Sequence, residues 1–120
     1  MKDFLISITL FVIVIVCVAI NSIYVSSISS KLESIAERLD LNSSPAPLIA
    51  ELEAIWEKNR PWLSLSVDTP QLDSVDIIID SIRLSYEMED AFEFEKYRLQ
   101  LSELSKEISI LEKLTLQTVL

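Results

Sequence analysis

The densest group of potential ligand side chains in this sequence is a run of carboxylates in its second half: Glu87, Glu89, Asp90, Glu93 and Glu95. Carboxylate oxygens are the ligands that hard cations such as Ca²⁺ and Mg²⁺ prefer. Acidic side chains also accumulate at the start of a helix, where they meet free N–H groups and the positive end of the helix dipole. Because the run lacks a cation-binding loop pattern, it favours a helix start and leaves a cation site as the alternative.

A second acidic group is spaced so that it would lie along one face of a helix: Asp73, Asp76 and Asp80. Such a row could perform paired-carboxylate chemistry or hold a metal ion. Like charges at these spacings repel by about 0.3 kcal/mol unless a basic residue such as Arg83 meets them. We therefore expect a solvated stripe here, and a catalytic pair is the alternative.

The residue types that the sequence lacks limit its chemistry further. It contains no His, which is the commonest general acid–base and transition-metal ligand, so its serines have no imidazole to activate them. It also contains no Gly, which disfavours phosphate-cradling loops and EF-hand turns. The single Cys17 excludes an intrachain disulfide. The sequence therefore predicts that the chain is not an enzyme and has no cofactor, no catalytic residues and no bound metal.

The element that positions everything else is the run Phe4–Val25, which is 22 residues long and has no charged side chain. A helix of this length crosses the roughly 30 Å hydrocarbon core of a bilayer. The alternatives are a signal peptide with a cleavage site at Val25-Ser26-Ser27 and a buried helix of a soluble protein. The run is longer than an ordinary signal-peptide core and its head has one Lys offset by Asp3, which favours a retained anchor.

The charge balance predicts the kind of partner. Ten Lys and Arg against 19 Asp and Glu give a net charge of −9, and Lys2 cancels Asp3, so the excess lies after the apolar run. Such a domain is repelled by nucleic acids and by anionic lipid surfaces. We expect a protein partner, and we expect the domain on the outer face of the cell membrane because a short N-terminal head is readily kept inside.

After the apolar run, apolar positions recur at helical spacing. Ile28, Leu32, Ile35 and Leu39 predict an amphipathic stalk helix, and residues 41–46 form a Pro-containing hinge. Three seams follow: Leu48, Leu52, Ile55, Trp56 and Leu63; Leu72, Val75, Ile79, Ile82 and Tyr86, widened by Ile77 and Ile78; and Phe94, Tyr97, Leu101, Leu104, Ile108, Leu111 and Thr115. Short links between the seams require antiparallel packing of neighbouring helices.

Local signals place the ends of these helices. Pro47 suits a first helical residue, and Pro61 leaves a kinked continuation or a separate turn up to Val67. Thr69 is the expected N-cap of the next helix, and Asp90 with Glu93 resembles a capping box. We therefore predict an all-α chain: a transmembrane anchor at 1–25, a stalk and hinge at 26–46, and a small antiparallel three-helix domain at 47–120.

Two tryptophans beside a helix break are the candidate partner contact. Pro61 lies between Trp56 and Trp62 in the sequence, and Leu63 directly follows Trp62. Large aromatic side chains anchor hydrophobic cores, and when they are exposed they anchor interfaces. We hypothesise that an exposed part of the stretch 56–67 binds another protein, with Trp56, Trp62 and Leu63 as contact residues. The alternative is that both tryptophans belong to the core.

The run Trp56-Glu57-Lys58-Asn59-Arg60, then Trp62 and the Asp-rich helix start at 68–76, resembles a family of small bacterial single-span membrane proteins with a helical domain of unknown function. The resemblance covers residues 48–120, including the ending Leu114 to Leu120. Pro61 departs from it, because a helix-compatible and often basic residue is expected there. The resemblance implies an N-terminal apolar segment followed by a short helical domain, and it implies no activity.

These observations predict a non-catalytic, membrane-anchored helical accessory or scaffold protein that binds another membrane or envelope protein. One alternative is an extracytoplasmic sensor of a cation or small ligand that uses the carboxylates around Glu89. Another is a self-assembling coiled coil, since exposed heptad seams also pair between copies of a chain.

Overall fold

The computed structural model describes residues 1–119, apart from the side chains at positions 115, 116 and 119, and this part of the chain is helical with no strand. The all-α prediction is thus confirmed. The side chain of the predicted seam position Thr115 and the whole of Leu120 lie outside the described part of the chain. Four helices follow one another: α1 (Lys2–Arg38), α2 (Ala46–Leu63), α3 (Thr69–Glu87) and α4 (Ala91–Val119).

Each helix packs antiparallel to the next, and α4 returns to pack against α1. Arg83 of α3 forms an ion pair with Glu53 of α2, while Arg60, further along α2, pairs with Asp73 near the start of α3. α1 and α4 are also antiparallel, because Ser22 donates to the Glu112 carbonyl and Arg98 donates to the Ala36 carbonyl, each at 3.0 Å. The helices therefore form an up-down-up-down bundle.

The first helix is much longer than the bundle. Its 37 residues extend ~55 Å, and the whole chain measures 68 × 23 × 22 Å. Residues 2–21, which we call the apolar half of α1, precede the first core residue of the helix; most of them project beyond the bundle, and the most apolar stretch is not buried against the rest of the chain. Among the described residues, α1 is the one helix that is long and apolar enough to span a membrane.

Residues 26–38, expected to form a stalk between anchor and bundle, are part of the bundle itself. Ile28, Leu32 and Ile35 are buried in one core with residues from α2, α3 and α4. The core begins inside the apolar run, at Val25, and continues to Leu39. The stalk prediction therefore needs correction, because α4 is long enough to cover the apolar face of α1 along this whole segment.

Small residues let α1 and α4 approach closely. Ser22, Ser29 and Ala36, spaced by seven, are buried on α1, and the facing side of α4 buries Ser102, Ser105 and Ser109. Small side chains at a helix interface allow the two backbones to come together, as in membrane helix pairs. The Ser105 hydroxyl is fully buried and makes no hydrogen bond with the described residues.

The predicted seams form the core with few exceptions. From α2, α3 and α4 the buried side chains include Leu52, Trp56, Leu72, Val75, Ile79, Ile82, Phe94, Leu101 and Ile108. Ile78 is buried as expected, but Ile77 is exposed on the outer face of α3, and Leu111 is also largely exposed. Each exception lies at the margin of its apolar stripe, where the period of 3.6 residues turns a side chain away from the core.

The helix ends agree closely with the local sequence signals. Pro61 lies inside α2, which continues through it to Leu63, so the kinked-continuation alternative is the one observed. Ala46, rather than Pro47, is the first residue of α2, and Asp68, rather than Thr69, is the N-cap of α3. The Asp90 carboxylate accepts a hydrogen bond from the Glu93 backbone N–H at 3.1 Å, which confirms the predicted cap of α4.

The turn between α3 and α4 uses a left-handed residue that is not glycine. Glu89 has φ of 55°, and the Asp90 N–H bonds the Ser85 carbonyl while the Glu89 N–H bonds the Tyr86 carbonyl. This is the Schellman pattern of helix termination, in which the left-handed position is usually glycine. A side chain with a Cβ is strained in this conformation by roughly 1–2 kcal/mol.

We expect Glu89→Gly to raise the free energy of unfolding by about 0.5–1 kcal/mol, because relief of the left-handed strain exceeds the entropy that glycine adds to the unfolded chain. Thermal unfolding followed by circular dichroism measures this change. Glu87→Gly is the matched control, since Glu87 is the last helical residue of α3 and glycine should destabilise there. Destabilisation by both substitutions would contradict the assignment of strain to Glu89.

Candidate functional site

The three residues predicted as a partner contact separate in the structure. Trp56 and Leu63 are core residues, exposed by only 6% and 4% respectively, whereas Trp62 is 64% exposed. The six-residue spacing explains this, because it places Trp62 about 120° around the helix from Trp56. Of the hypothesised contact set, only Trp62 is available to a partner, together with Leu65 in the turn that follows.

Trp56 is fixed by a polar cluster at the α2–α3 interface. Its indole N–H donates to Asp76 Oδ1, and Arg60 Nε donates to both carboxylate oxygens of Asp76 at 3.0 Å. Arg60 also forms an ion pair with Asp73 at 3.1 Å. Two members of the predicted acidic row, Asp73 and Asp76, thus pair with Arg60. Arg83, the basic residue expected to meet this row, pairs with Glu53 instead.

Asp76 provides the structure's clearest acid-sensitive contact. Burial alone would raise the pKa of Asp76, but the hydrogen bonds from Arg60 and Trp56 and the Arg60 charge together hold this pKa below its ordinary value. A folded-state pKa below the unfolded value gives stability that is present above about pH 4 and is lost as the pH falls through the folded-state pKa.

We therefore expect Asp76→Asn to lower the free energy of unfolding by about 1 kcal/mol at pH 6, a figure reduced for the partial exposure of the group, and to have much less effect at pH 3. Denaturant titrations at the two pH values measure the difference. Asp80→Asn, at an exposed neighbouring position without an ion pair, is the control. Equal pH dependence in the two variants would contradict the role of Asp76.

Three of the five carboxylates between residues 87 and 95 contact groups of the chain itself. Glu95 pairs with Arg98, and this hydrogen bond lowers the pKa of Glu95. Glu93 lies 3.9 Å from Lys96, and Asp90 caps α4. No three potential metal ligands converge within the described part of the chain.

The two ends of the bundle differ in their charge. The base is the end from which the apolar half of α1 projects, and it contains the α2–α3 turn and the last turns of α4. Residues 62–67 in that turn carry no charge, and neither do residues 114–119 of α4. Burial raises the pKa of Glu112, which lies at the base beside Ser22. The base is therefore the less charged end.

The tip is the opposite end, formed by the α1–α2 loop and the α3–α4 turn. It exposes three large apolar side chains, which we call the tip surface: Leu84 (56%), Met88 (70%) and Phe92 (76%). Leu84 and Met88 line a shallow groove of about 140 Å³ with Glu93 and Tyr97. The exposed carboxylates Glu87, Glu89 and Asp90 surround this end. The tip surface is not evident from the sequence, because these side chains lie outside the core seams, at the ends of two helices.

A long groove separates α1 from α2, which pack together less closely than α1 and α4. Its lower part, at the base, has a volume of about 600 Å³ and is lined by Cys17, Ile20, Asn21, Tyr24, Lys58, Asn59, Trp62 and Leu65. Its upper part has a volume of about 480 Å³ and is lined by Ser27, Ser30, Lys31, Ser34, Ile35, Arg38, Glu51 and Ile55. The Tyr24 hydroxyl donates to Asn59 Oδ1 between the two parts.

Comparison of the chain with known protein families, with curated proteins and with solved structures finds no match.

Proposed function

We propose that this chain is a non-catalytic, membrane-anchored accessory or scaffold protein whose bundle binds another membrane or envelope protein through the tip surface. The observation that carries the proposal is the exposure of Leu84, Met88 and Phe92 at the end farthest from the apolar half of α1. An apolar group rimmed by charged side chains is typical of a protein-binding site.

The apolar half of α1 supports the membrane anchor. Most of its side chains are exposed, an arrangement that is favourable in lipid and costly in water. With α1 inserted, the base, which is the less charged end, lies at the bilayer surface and the tip is directed away from it. Trp62 is then an interfacial tryptophan, a position that this residue type favours. The short N-terminal head favours placement of the bundle outside the cytoplasm.

The chemistry of the tip specifies the partner. Leu84, Met88 and Phe92 offer a flexible apolar contact, since methionine adapts to different shapes. The surrounding carboxylates repel acidic surfaces and attract basic ones. The proposed partner segment is therefore an amphipathic helix with an apolar face flanked by Lys or Arg. Membership of the single-span family with a helical domain of unknown function remains part of this proposal, because the α1-plus-bundle architecture agrees with it.

Affinity purification of the tagged full chain in mild detergent tests the proposal. The test variant carries Leu84→Ser, Met88→Ser and Phe92→Ser, and the matched control carries Ile77→Ser and Leu99→Ser, which are also exposed apolar side chains but lie on the sides of the bundle. We expect a stoichiometric partner with the wild type and the control, and none with the tip variant, while all three retain the same helicity.

Three other results would count against the tip as the binding surface. Retention of the partner by the tip variant would place the contact elsewhere. Purification of the wild type alone, as a defined oligomer that Leu99→Ser dissociates, would instead favour self-assembly through the outer face of α4. A thermal shift with millimolar Ca²⁺ that Glu89→Gln and Asp90→Asn abolish would favour the sensor alternative.

A further inference from the structure

The groove between α1 and α2 changes character along its length. The lower part is bordered by Cys17, Ile20, Trp62 and Leu65, which are apolar or weakly polar, whereas the upper part is bordered by serines and charged residues. Cys17 and Ile20 belong to the proposed membrane span, so the lower part opens into the hydrocarbon region. The groove therefore offers an apolar cavity at membrane depth and a polar cavity above it, with the Tyr24–Asn59 hydrogen bond between them.

The three basic residues of the groove have no carboxylate partner among the described residues, as is also true of Lys2 and Lys113. Lys58 lies at its lower part and Lys31 and Arg38 at its upper part, and none of the three forms an ion pair with the described residues. In contrast, Arg60, Arg83, Lys96, Arg98 and Lys106 each pair with a carboxylate. The groove contains one acidic residue, Glu51. In a chain of net charge −9, this is a local positive surface.

The spacing along α1 matches a lipid at its ordinary depth. Lys31 lies 11 positions after Ile20, which is ~16 Å along the helix. Lys58 lies between these levels, because its neighbour Asn59 bonds Tyr24. A lipid chain beside Ile20 and Trp62 would therefore carry its headgroup up to Lys58 and Lys31. Each basic side chain near a membrane surface attracts an anionic headgroup.

We propose that this groove binds one anionic phospholipid, with an acyl chain in the lower part and the phosphate held by Lys58 and Lys31. The bound lipid would fill the gap that loose α1–α2 packing leaves and would set the height of the base at the membrane. This inference rests on the proposed insertion of α1, but it is independent of the partner at the tip. The rest of the bundle surface is acidic and repels anionic lipids, so it offers no competing binding site.

Native mass spectrometry of the full chain, released from an uncharged detergent, tests this proposal with defined probes. These are phosphatidylglycerol, diacylglycerol, which has the chains without a phosphate, and glycerol 3-phosphate, which has the phosphate without chains. We expect one bound phosphatidylglycerol, at least tenfold weaker binding of diacylglycerol, and no retained glycerol 3-phosphate. Equal binding of phosphatidylglycerol and diacylglycerol, or retention of glycerol 3-phosphate alone, would overturn the proposal.

Matched variants test each half of the groove. Lys58→Glu should weaken phosphatidylglycerol binding roughly tenfold, whereas Lys113→Glu, at an exposed lysine outside the groove, should change it less than about twofold. Ile20→Trp should fill the lower part and abolish retention, whereas Ile23→Trp, on a side of α1 that does not line the groove, should not. Wild-type retention by Lys58→Glu or by Ile20→Trp would contradict the site.

The controls separate this proposal from the proposed function. Flotation of each variant with liposomes measures membrane insertion of α1, and purification with the partner measures the tip. Loss of lipid retention in a variant that still floats and still binds its partner supports the groove site. A wild-type chain that floats but retains no phosphatidylglycerol disproves the groove site and leaves the proposed function intact.

Discussion

Replacing Trp56 with alanine is expected to lower the free energy of unfolding by about 4 kcal/mol. The indole is almost fully buried between α2 and α3, so its removal leaves a large cavity, and it also removes the hydrogen bond to Asp76. Denaturant titration of the full chain in detergent, followed by circular dichroism, measures the change.

Trp62→Ala is the matched control for this prediction. Its side chain is exposed, and we expect a change of less than about 0.5 kcal/mol in the same detergent. Trp56→Phe retains most of the apolar volume and should cost about 1–2 kcal/mol, mainly through the lost hydrogen bond to the charged Asp76. Equal destabilisation by Trp56→Ala and Trp62→Ala would show that the two tryptophans do not differ in burial as described.

The second large effect is expected at Leu32, in the segment first expected to be a stalk. Leu32 is 2% exposed and belongs to the common core, so Leu32→Ala should lower the free energy of unfolding by about 3 kcal/mol. A leucine on a free stalk would contribute almost nothing to the stability of the bundle. The same denaturant titration distinguishes these two cases.

Lys31→Ala provides the control at the neighbouring, exposed position of the same helix turn. It should change stability by less than about 0.5 kcal/mol. If Leu32→Ala were as neutral as Lys31→Ala, the second half of α1 would lie outside the cooperative core, and the stalk interpretation would be restored.

The difference at Leu32 shows what helical periodicity determines and what it leaves open. The spacing of Ile28, Leu32 and Ile35 shows that one face of this helix is apolar. It does not show which element covers that face, and an amphipathic stalk and a bundle helix have the same pattern. The length of α4 was the available signal, because its seam from Phe94 to Leu111 is longer than the α3 seam from Leu72 to Tyr86.

The candidate site was less predictable than the fold. The separation of Trp56 from Trp62 follows from their six-residue spacing, which was visible in the sequence once α2 was taken through Pro61. The pairing of Arg60 with Asp73 and Asp76 was not visible in the sequence, because it depends on how two helices pack against each other. The tip surface and the groove arise from tertiary packing, since their residues come from two helices each.

The depth of Trp62 in a bilayer shows directly whether α1 inserts and the base rests at the membrane surface. The Trp56→Phe variant leaves Trp62 as the only fluorophore of its kind, and the Trp62→Phe variant leaves Trp56. Both are reconstituted into vesicles of phosphatidylcholine brominated near the headgroup end or near the methyl end of the acyl chains. We predict strong quenching of Trp62 by the shallow bromines, weak quenching by the deep ones, and none of Trp56. Absence of quenching of Trp62, or equal quenching of both tryptophans, would contradict the account.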